Sequence, residues 1–228
     1  MKRSLPLLIT RLGRAYASHR YAILFYSLLA TVAAVPLLEA LRLDAELLEL
    51  FLAMNLIAGV LGLEAGGRRR VLLIVAGTTL LIHFAFGQAA VYLRPAALAF
   101  WTVIALLSAA FALRYALRST RVDAEHLYAA LSAYLLGGVF FGALYHGVAH
   151  VWPGSFNASV ATGALPLPDA IYFSFVTLAT LGYGDLVPVT GIARGLAVIE
   201  AVSGQLFLAV LVARLVSSHV GTRGGRER

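Results

Sequence analysis

Residues 180–185 combine the residue types with the clearest chemistry in this chain, and that chemistry is cation binding. The stretch reads Thr-Leu-Gly-Tyr-Gly-Asp. Gly182 and Gly184 permit backbone conformations that residues with a Cβ resist, so successive carbonyl groups can point the same way. A column of carbonyl oxygens can replace the water shell of a dehydrating cation. We therefore expect an ion pathway along this stretch, with Asp185 at its outer mouth.

Residues 169–180 lead into the first residue of this stretch, Thr180. These twelve mostly apolar residues predict a short helix. At about 1.5 Å per residue this helix covers roughly 18 Å, about half of a bilayer. The next five residues, if extended, return roughly 16 Å at about 3.3 Å each. The negative end of the helix dipole, at Thr180, would favour a cation further. This arithmetic predicts a re-entrant loop over residues 169–185.

The composition of the whole chain places this loop in a membrane. Of 228 residues, 61% are hydrophobic and only 13% are charged, with a mean hydropathy of +0.86, whereas soluble domains carry about 25% charged residues. The chain has no cysteine, which excludes disulfide frameworks and thiolate metal sites. Its net charge of +7 does not indicate nucleic-acid binding, because the basic residues form short clusters between apolar runs. We therefore expect an all-α membrane protein.

Six apolar stretches are long enough to cross a bilayer, which takes about 20 residues. With the N-terminus inside, all 18 basic residues except Arg42, Arg94 and Arg194 fall on the inner side. By the positive-inside rule, both termini are expected to be cytoplasmic. The predicted spans are 21–41, 47–63, 71–93, 96–117, 127–152 and 191–217.

A polar stretch near residues 118–126 divides the chain into two membrane units. Four spans form the first unit, 21–121, and the second unit, 122–217, holds two spans and the re-entrant loop. Residues 1–20 are expected to form a cytoplasmic segment, either an interfacial amphipathic helix or a disordered basic arm. Residues 218–228 are expected to be a short cytoplasmic tail, too small to fold as a regulatory domain.

The motif at 180–185, followed by Pro188 and by an apolar inner span with Gly204, resembles the pore module of potassium channels, whose usual filter reads Thr-Val-Gly-Tyr-Gly. The resemblance covers about residues 127–217. It implies a bacterial-type six-transmembrane channel in a prokaryotic plasma membrane, with one carbonyl per chain in each ring and hence a homotetrameric pore. It also implies K⁺ binding by the Thr180 hydroxyl and by the backbone carbonyls of Thr180, Leu181, Gly182 and Tyr183, with Gly184 completing the bend and Tyr183 bracing the filter.

Two residues depart from the pattern of this family. Leu181 replaces the commoner valine, and Val176 stands where some members place a glutamate that pairs with the aspartate after the filter. We therefore expect the Asp185 side chain to have either a different partner or no partner.

The function implied is passive, potassium-selective conduction, with K⁺ as the permeant ion and no cofactor. A cation channel of relaxed selectivity and a non-conducting subunit remain alternatives. An intramembrane enzyme is not indicated, because the chain has no metalloprotease or serine-nucleophile motif.

The four-plus-two arrangement resembles voltage-gated channels, but the fourth span lacks arginines inside the membrane. Arg114, Arg118 and Arg121 crowd its cytoplasmic end, as positive-inside anchoring would place them. Voltage sensing needs several charges spaced through the membrane field. We therefore expect little or no intrinsic voltage gating. Lipid, pH, tension, the filter itself, a regulatory partner or constitutive leak remain the alternatives for what opens the pore.

Two residues of the last span are gating candidates. Glu200 is an acid inside a span, which is costly and suggests a function. Placed to hydrogen-bond Ser174 or Thr177, it is either a structural brace, a proton-sensitive gate or part of the ion path. Gly204 lies at mid-span, where the family often places a hinge, although glycine also lets membrane helices pack closely.

His146 and His150, four residues apart near the outer end of the fifth span, are candidates for sensing external pH or a metal ion. Two histidines without a third nearby ligand make a poor metal site. Packing at the interface is therefore the favoured interpretation of this pair.

Overall fold

The computed structural model describes residues 19–34, 41, 45–61, 73, 77, 94–118, 123–158 and 165–224. Within these ranges the chain forms helices and one small two-stranded sheet, and the single residues Leu73 and Gly77 are also helical. The elements are α1 (residues 19–34), α2 (Ala45–Leu61), α3 (Arg94–Arg118), α4 (Ala124–Val151), β1 (Phe156–Ala158), α5 (Leu167–Leu178), β2 (Leu186–Pro188) and α6 (Gly191–Gly224).

Three helices of the described part are long and apolar enough to cross a membrane, which makes the chain an integral membrane protein. They are Ala99–Arg118, Ala124–Val151 and Gly191–Ser217, close to the fourth, fifth and sixth predicted spans. Helix α6 continues to Gly224, past the end predicted for its span.

Helices α1 and α2 overlap the first and second predicted spans, and each begins and ends before the predicted bounds. The apolar part of α2, Leu50–Val60, is shorter than a full crossing. The third predicted span, 71–93, lies outside the described residues except for Leu73 and Gly77. Residues 1–18 of the predicted N-terminal segment also lie outside them.

Helices α1 to α4 share one hydrophobic core, in which Leu28, Ile104 and Leu136 are almost completely buried. Phe207 and Leu211 of α6 pack against this core, and the ring of Phe207 lies 5.6 Å from that of Tyr134 of α4. Arg214 of α6 adds a polar link by donating a hydrogen bond from Nη2 to the carbonyl oxygen of Leu117, at the end of α3, over 2.9 Å.

Helix α5 packs closely on α4 because two glycines of α4 face it. A Cβ at Gly142 would lie 2.8 Å from the Cα of Ile171, and a Cβ at Gly138 would lie 2.7 Å from the ring of Phe175. Both pairs are spaced four residues apart, which is the spacing that places side chains on one face of a helix. Small residues let membrane helices approach in this way.

Helix α5 has the predicted twelve residues, but the predicted bounds, 169–180, are wrong: it starts at Leu167 and ends at Leu178. The start is early because Pro168 occupies the first turn, where its missing N–H costs nothing. The end is early because Thr180 adopts a positive φ of 58°, which no α-helix accommodates.

The described residues are mostly helical, as expected for an all-α membrane protein. They also form one short ribbon, in which β1 and β2 pair antiparallel with Phe156 opposite Pro188 and Ala158 opposite Leu186. The Val189 N–H extends the pairing by donating to the carbonyl oxygen of Ser155 over 2.8 Å. Backbone groups in loops need partners. This ribbon supplies them and joins the chain before α5 to the chain that follows residue 185.

Candidate ion pathway

The backbone of residues 180–184 alternates in the sign of φ. Thr180, Gly182 and Gly184 have φ of 58°, 56° and 78°, and Thr180 is the one non-glycine residue with positive φ in the described part of the chain. Leu181 and Tyr183 between them therefore have negative φ. In an ordinary strand successive carbonyls point to opposite sides, whereas alternation of left- and right-handed residues turns neighbouring carbonyls toward one side. The prediction that Gly182 and Gly184 free the backbone in this way is consistent with these angles.

Hydrogen bonds to the end of α5 fix the start of this segment. The N–H groups of Thr180 and Leu181 donate to the carbonyl oxygens of Thr177 and Val176 over 3.0 and 2.9 Å. These amides are thereby satisfied within the chain. The carbonyl oxygens of the segment are the groups left to meet a ligand, and a row of such oxygens suits a cation.

The segment is open on one side in the single chain. The side chains of Leu181 and Tyr183 are 57% and 67% exposed. Helix α6 carries a large exposed apolar surface next to it, formed by Val198, Ile199, Val202, Leu206, Val210, Val212 and Val216. The single chain therefore leaves this side of the segment uncovered.

Asp185 has a partner that the sequence did not reveal. The Tyr172 hydroxyl donates to its Oδ2 over 2.7 Å, and the Leu186 N–H donates to its Oδ1 over 3.0 Å. The hydrogen bond from Tyr172 lowers the pKa of Asp185 below its usual value, because it stabilises the ionised carboxylate. Tyr172 lies thirteen residues earlier, on α5, and no short motif connects the two positions.

Glu200 is fully buried where α4, α5 and α6 meet. The Ser174 Oγ lies 2.5 Å from its Oε1, and the Tyr145 hydroxyl donates to its Oε2 over 2.6 Å. The predicted contact with Ser174 is confirmed, while Thr177, the other predicted partner, forms no recorded bond with it. Tyr145 is 55 residues away on α4, and only the packing of the helices brings it there.

Gly204 lies against the end of α5. A Cβ at this position would be 2.8 Å from the carbonyl oxygen of Leu178, so close packing explains the glycine. The hinge interpretation of Gly204 stays a prediction. The next residue, Gln205, donates from Nε2 to the Thr180 Oγ1 over 3.4 Å, and it was not among the candidates drawn from the sequence.

The two histidines have different environments. His146 Nδ1 lies 2.7 Å from the carbonyl oxygen of Leu165, and since a carbonyl only accepts, Nδ1 carries the hydrogen. His150 is exposed, with its ring centroid 6.4 Å from that of His146. The described residues contain no group of three or more metal-binding side chains, and the contact of His146 agrees with a packing role.

A family model described as ion channel matches residues 129–219. The two pore potassium channel c of Oryza sativa subsp. japonica is 39% identical over 93 residues, covering 40% of this chain and 18% of that protein. The inward rectifier potassium channel Kirbac3.1 of Paramagnetospirillum magnetotacticum is 43% identical over 58 residues, covering 25% of this chain and 16% of that protein. Protein LctB of Bacillus caldotenax is 34% identical over 101 residues, covering 42% of this chain and 74% of that protein.

This chain thus spans less than a fifth of the two potassium channels named here. No solved structure matches it. The resemblance predicted for residues 127–217 is confirmed, because the family match covers nearly the same residues and includes 180–185. The chain therefore belongs to the ion channel family and is not an enzyme, and its pore segment is related to those of potassium channels.

Proposed function

We propose that this chain is the subunit of a homotetrameric channel that conducts K⁺ selectively and passively. The observation that carries the proposal is the alternating φ sign at residues 180–184, directly after a helix of half-bilayer length. This backbone directs successive carbonyls to one side, and K⁺ is a cation that carbonyl rings dehydrate. The kinship with proteins named potassium channels supports K⁺ as the ion.

Four chains are needed because one chain contributes one oxygen to each ring. Closed cyclic symmetry repeats one wall around an axis. The exposed apolar surface of α6 and the exposed side chains at Leu181 and Tyr183 are the surfaces that neighbouring subunits would cover. In the tetramer, the carbonyls of Thr180, Leu181, Gly182 and Tyr183 would form stacked rings, with Gly184 completing the bend.

In this assembly a K⁺ ion loses water at the Asp185 mouth or in the inner cavity, moves between rings, and is displaced by the next ion. The Thr180 hydroxyl would contribute to the innermost site. Gln205, which donates to that hydroxyl, would fix its direction. No covalent chemistry and no cofactor take part.

The membrane arrangement proposed with this function has both termini in the cytoplasm of a prokaryotic cell. Residues 21–121 form a four-helix unit without gating charges, residues 122–217 form the pore unit, and residues 1–20 and 218–228 are cytoplasmic. The bond from Arg214 to the Leu117 carbonyl supports packing of the first unit on the pore of its own chain.

A flux assay in liposomes tests the proposal. Liposomes loaded with both K⁺ and Na⁺ and carrying the purified protein should release K⁺ and retain Na⁺. Gly182→Ala should abolish this selective release, because φ is 56° at Gly182 and a residue with a Cβ is strained there.

Gly147→Ala is the matched control, since Gly147 lies in α4 and a Cβ there meets nothing within 4 Å. This variant should behave as the wild type. Equal release of K⁺ and Na⁺ by the wild type would instead identify a channel of relaxed selectivity, and no release from tetrameric protein would identify a non-conducting subunit.

A further inference from the structure

Three short oxygen–oxygen contacts form a chain through Glu200. The Tyr145 hydroxyl lies 2.6 Å from Glu200 Oε2, the Ser174 hydroxyl lies 2.5 Å from Glu200 Oε1, and the same Ser174 hydroxyl lies 2.7 Å from the carbonyl oxygen of Gly138. Glu200 and Ser174 are fully buried, as is Tyr145. The chain of contacts joins α4, α5 and α6.

Three such contacts need three hydrogens. Tyr145 and Ser174 supply one each, and the Gly138 carbonyl supplies none because it only accepts. With an ionised Glu200, one of the two contacts of Ser174 would therefore be two acceptors facing each other at hydrogen-bond distance, which is costly when buried. With a hydrogen on Oε1, Glu200 donates to Ser174, Ser174 donates to Gly138, and Tyr145 donates to Oε2.

We propose that Glu200 is a neutral carboxylic acid whose proton positions the pore helix α5 between α4 and α6. It is a positioning residue, since it is fully buried between helices and acts through Ser174 and Tyr145. Its proton completes a donor chain from α6 through Ser174 to the backbone of α4. Because the amides of Thr180 and Leu181 are bonded to the end of α5, a shift of α5 moves residues 180–184 as well.

The charges around Glu200 agree with a neutral side chain. In the described part of the chain, the titratable groups that face it are Tyr145 and Tyr134 of α4, and α5 presents Ser174. No lysine, arginine or histidine among these residues forms an ion pair with Glu200. A lone buried carboxylate would be costly without such a partner.

Infrared spectroscopy of the purified protein tests the proton directly, whether or not the protein conducts. At neutral pH the wild type should show the carbonyl stretch of a protonated carboxylic acid, and Glu200→Gln should remove it. Asp123→Asn is the matched control, because Asp123 is an exposed N-cap of α4 and asparagine caps equally well. This control should keep the band.

A rescue experiment tests the positioning role. The amide of Glu200→Gln can donate to Ser174 and accept from Tyr145, so this variant should keep the wild-type thermal midpoint and K⁺ flux, whereas Glu200→Ala should lower both. Raising the pH until the carboxylic acid band disappears should lower the midpoint of the wild type but not that of Glu200→Gln. The same pH series on Tyr134→Phe and Tyr145→Phe measures how much of the fall in the thermal midpoint is caused by tyrosine ionisation.

Two results would overturn the inference: a neutral-pH spectrum in which Glu200→Gln removes no carboxylic acid band, or a Glu200→Gln protein as impaired as Glu200→Ala. The flux readout rests on the function proposed above, but the band and the thermal midpoint do not. A wild type that shows the band without K⁺ flux would therefore contradict the proposed function and leave the proton on Glu200 supported.

Discussion

Thr180 carries the least expected backbone conformation in the described chain, with φ of 58° at a β-branched residue. Such a conformation costs about 1–3 kcal/mol and persists where the surroundings fix it. Its N–H is bonded to the Thr177 carbonyl and its hydroxyl accepts from Gln205. The sequence predicted the freedom of the two glycines that follow, but a threonine gives no local signal of positive φ, so this part of the site required the structure.

At the same scale, Tyr172→Phe should change the response of the channel to acid at the Asp185 mouth. The Tyr172 hydroxyl holds the pKa of Asp185 below its usual value, so this carboxylate stays charged as the pH falls through the ordinary range for aspartate. Without that hydroxyl, the pKa rises toward its ordinary value and the carboxylate is neutralised at higher pH. The acid midpoint of K⁺ conductance should therefore move to higher pH in the variant.

Tyr26→Phe controls for the loss of a tyrosine hydroxyl elsewhere, because Tyr26 bonds to Tyr128 away from the pore segment. Its acid midpoint should match that of the wild type. Identical midpoints in all three proteins would show that Asp185 does not lie where permeating ions sense its charge.

Among the elements, the length of α5 could be predicted from the sequence, but its predicted bounds lie two residues too late at each end. Twelve apolar residues before a glycine-rich turn indicated a half-length helix, and the structure has one. The helix starts early because of Pro168, and a proline near the start of a helix can be recognised in the sequence. It ends early because of the positive φ of Thr180, which the sequence does not indicate. The pairing of β1 with β2, and of Tyr145 with Glu200, joins distant residues and needs the packed helices.

The contact between α4 and α5 gives a prediction about stability. Gly142→Ala places a Cβ 2.8 Å from the Cα of Ile171. Because this neighbour is a backbone atom, it cannot move aside as easily as the end of a flexible side chain. Overpacking of this kind typically costs about 1–3 kcal/mol. Thermal unfolding of the purified protein should therefore occur at a lower temperature in this variant.

Gly147→Ala, in the same helix, should raise the unfolding temperature slightly or leave it unchanged, since alanine favours a helix by about 1 kcal/mol over glycine. Equal effects of the two substitutions would contradict the close approach of α4 and α5.

At the scale of the whole molecule, the proposed first unit has no gating charge in its last helix. Residues 99–113 of α3 contain no lysine or arginine, and Arg118 lies at the end of the helix. Charges that do not cross the field do no electrical work. Open probability should therefore change little with voltage, and Arg118→Gln should leave that weak dependence unaltered in single-channel recordings. If open probability depended steeply on voltage and Arg118→Gln removed that dependence, Arg118 would be a gating charge and the prediction would be wrong.

The reversal potential of current across a planar bilayer, with K⁺ on one side and Na⁺ on the other, shows whether the channel selects K⁺. It reports which ion passes the ring of carbonyls, independently of how often the channel opens. A K⁺-selective pathway should give a reversal potential displaced far toward the K⁺ equilibrium value. A reversal potential near zero, from protein shown to be tetrameric, would contradict a K⁺-selective pathway at residues 180–184.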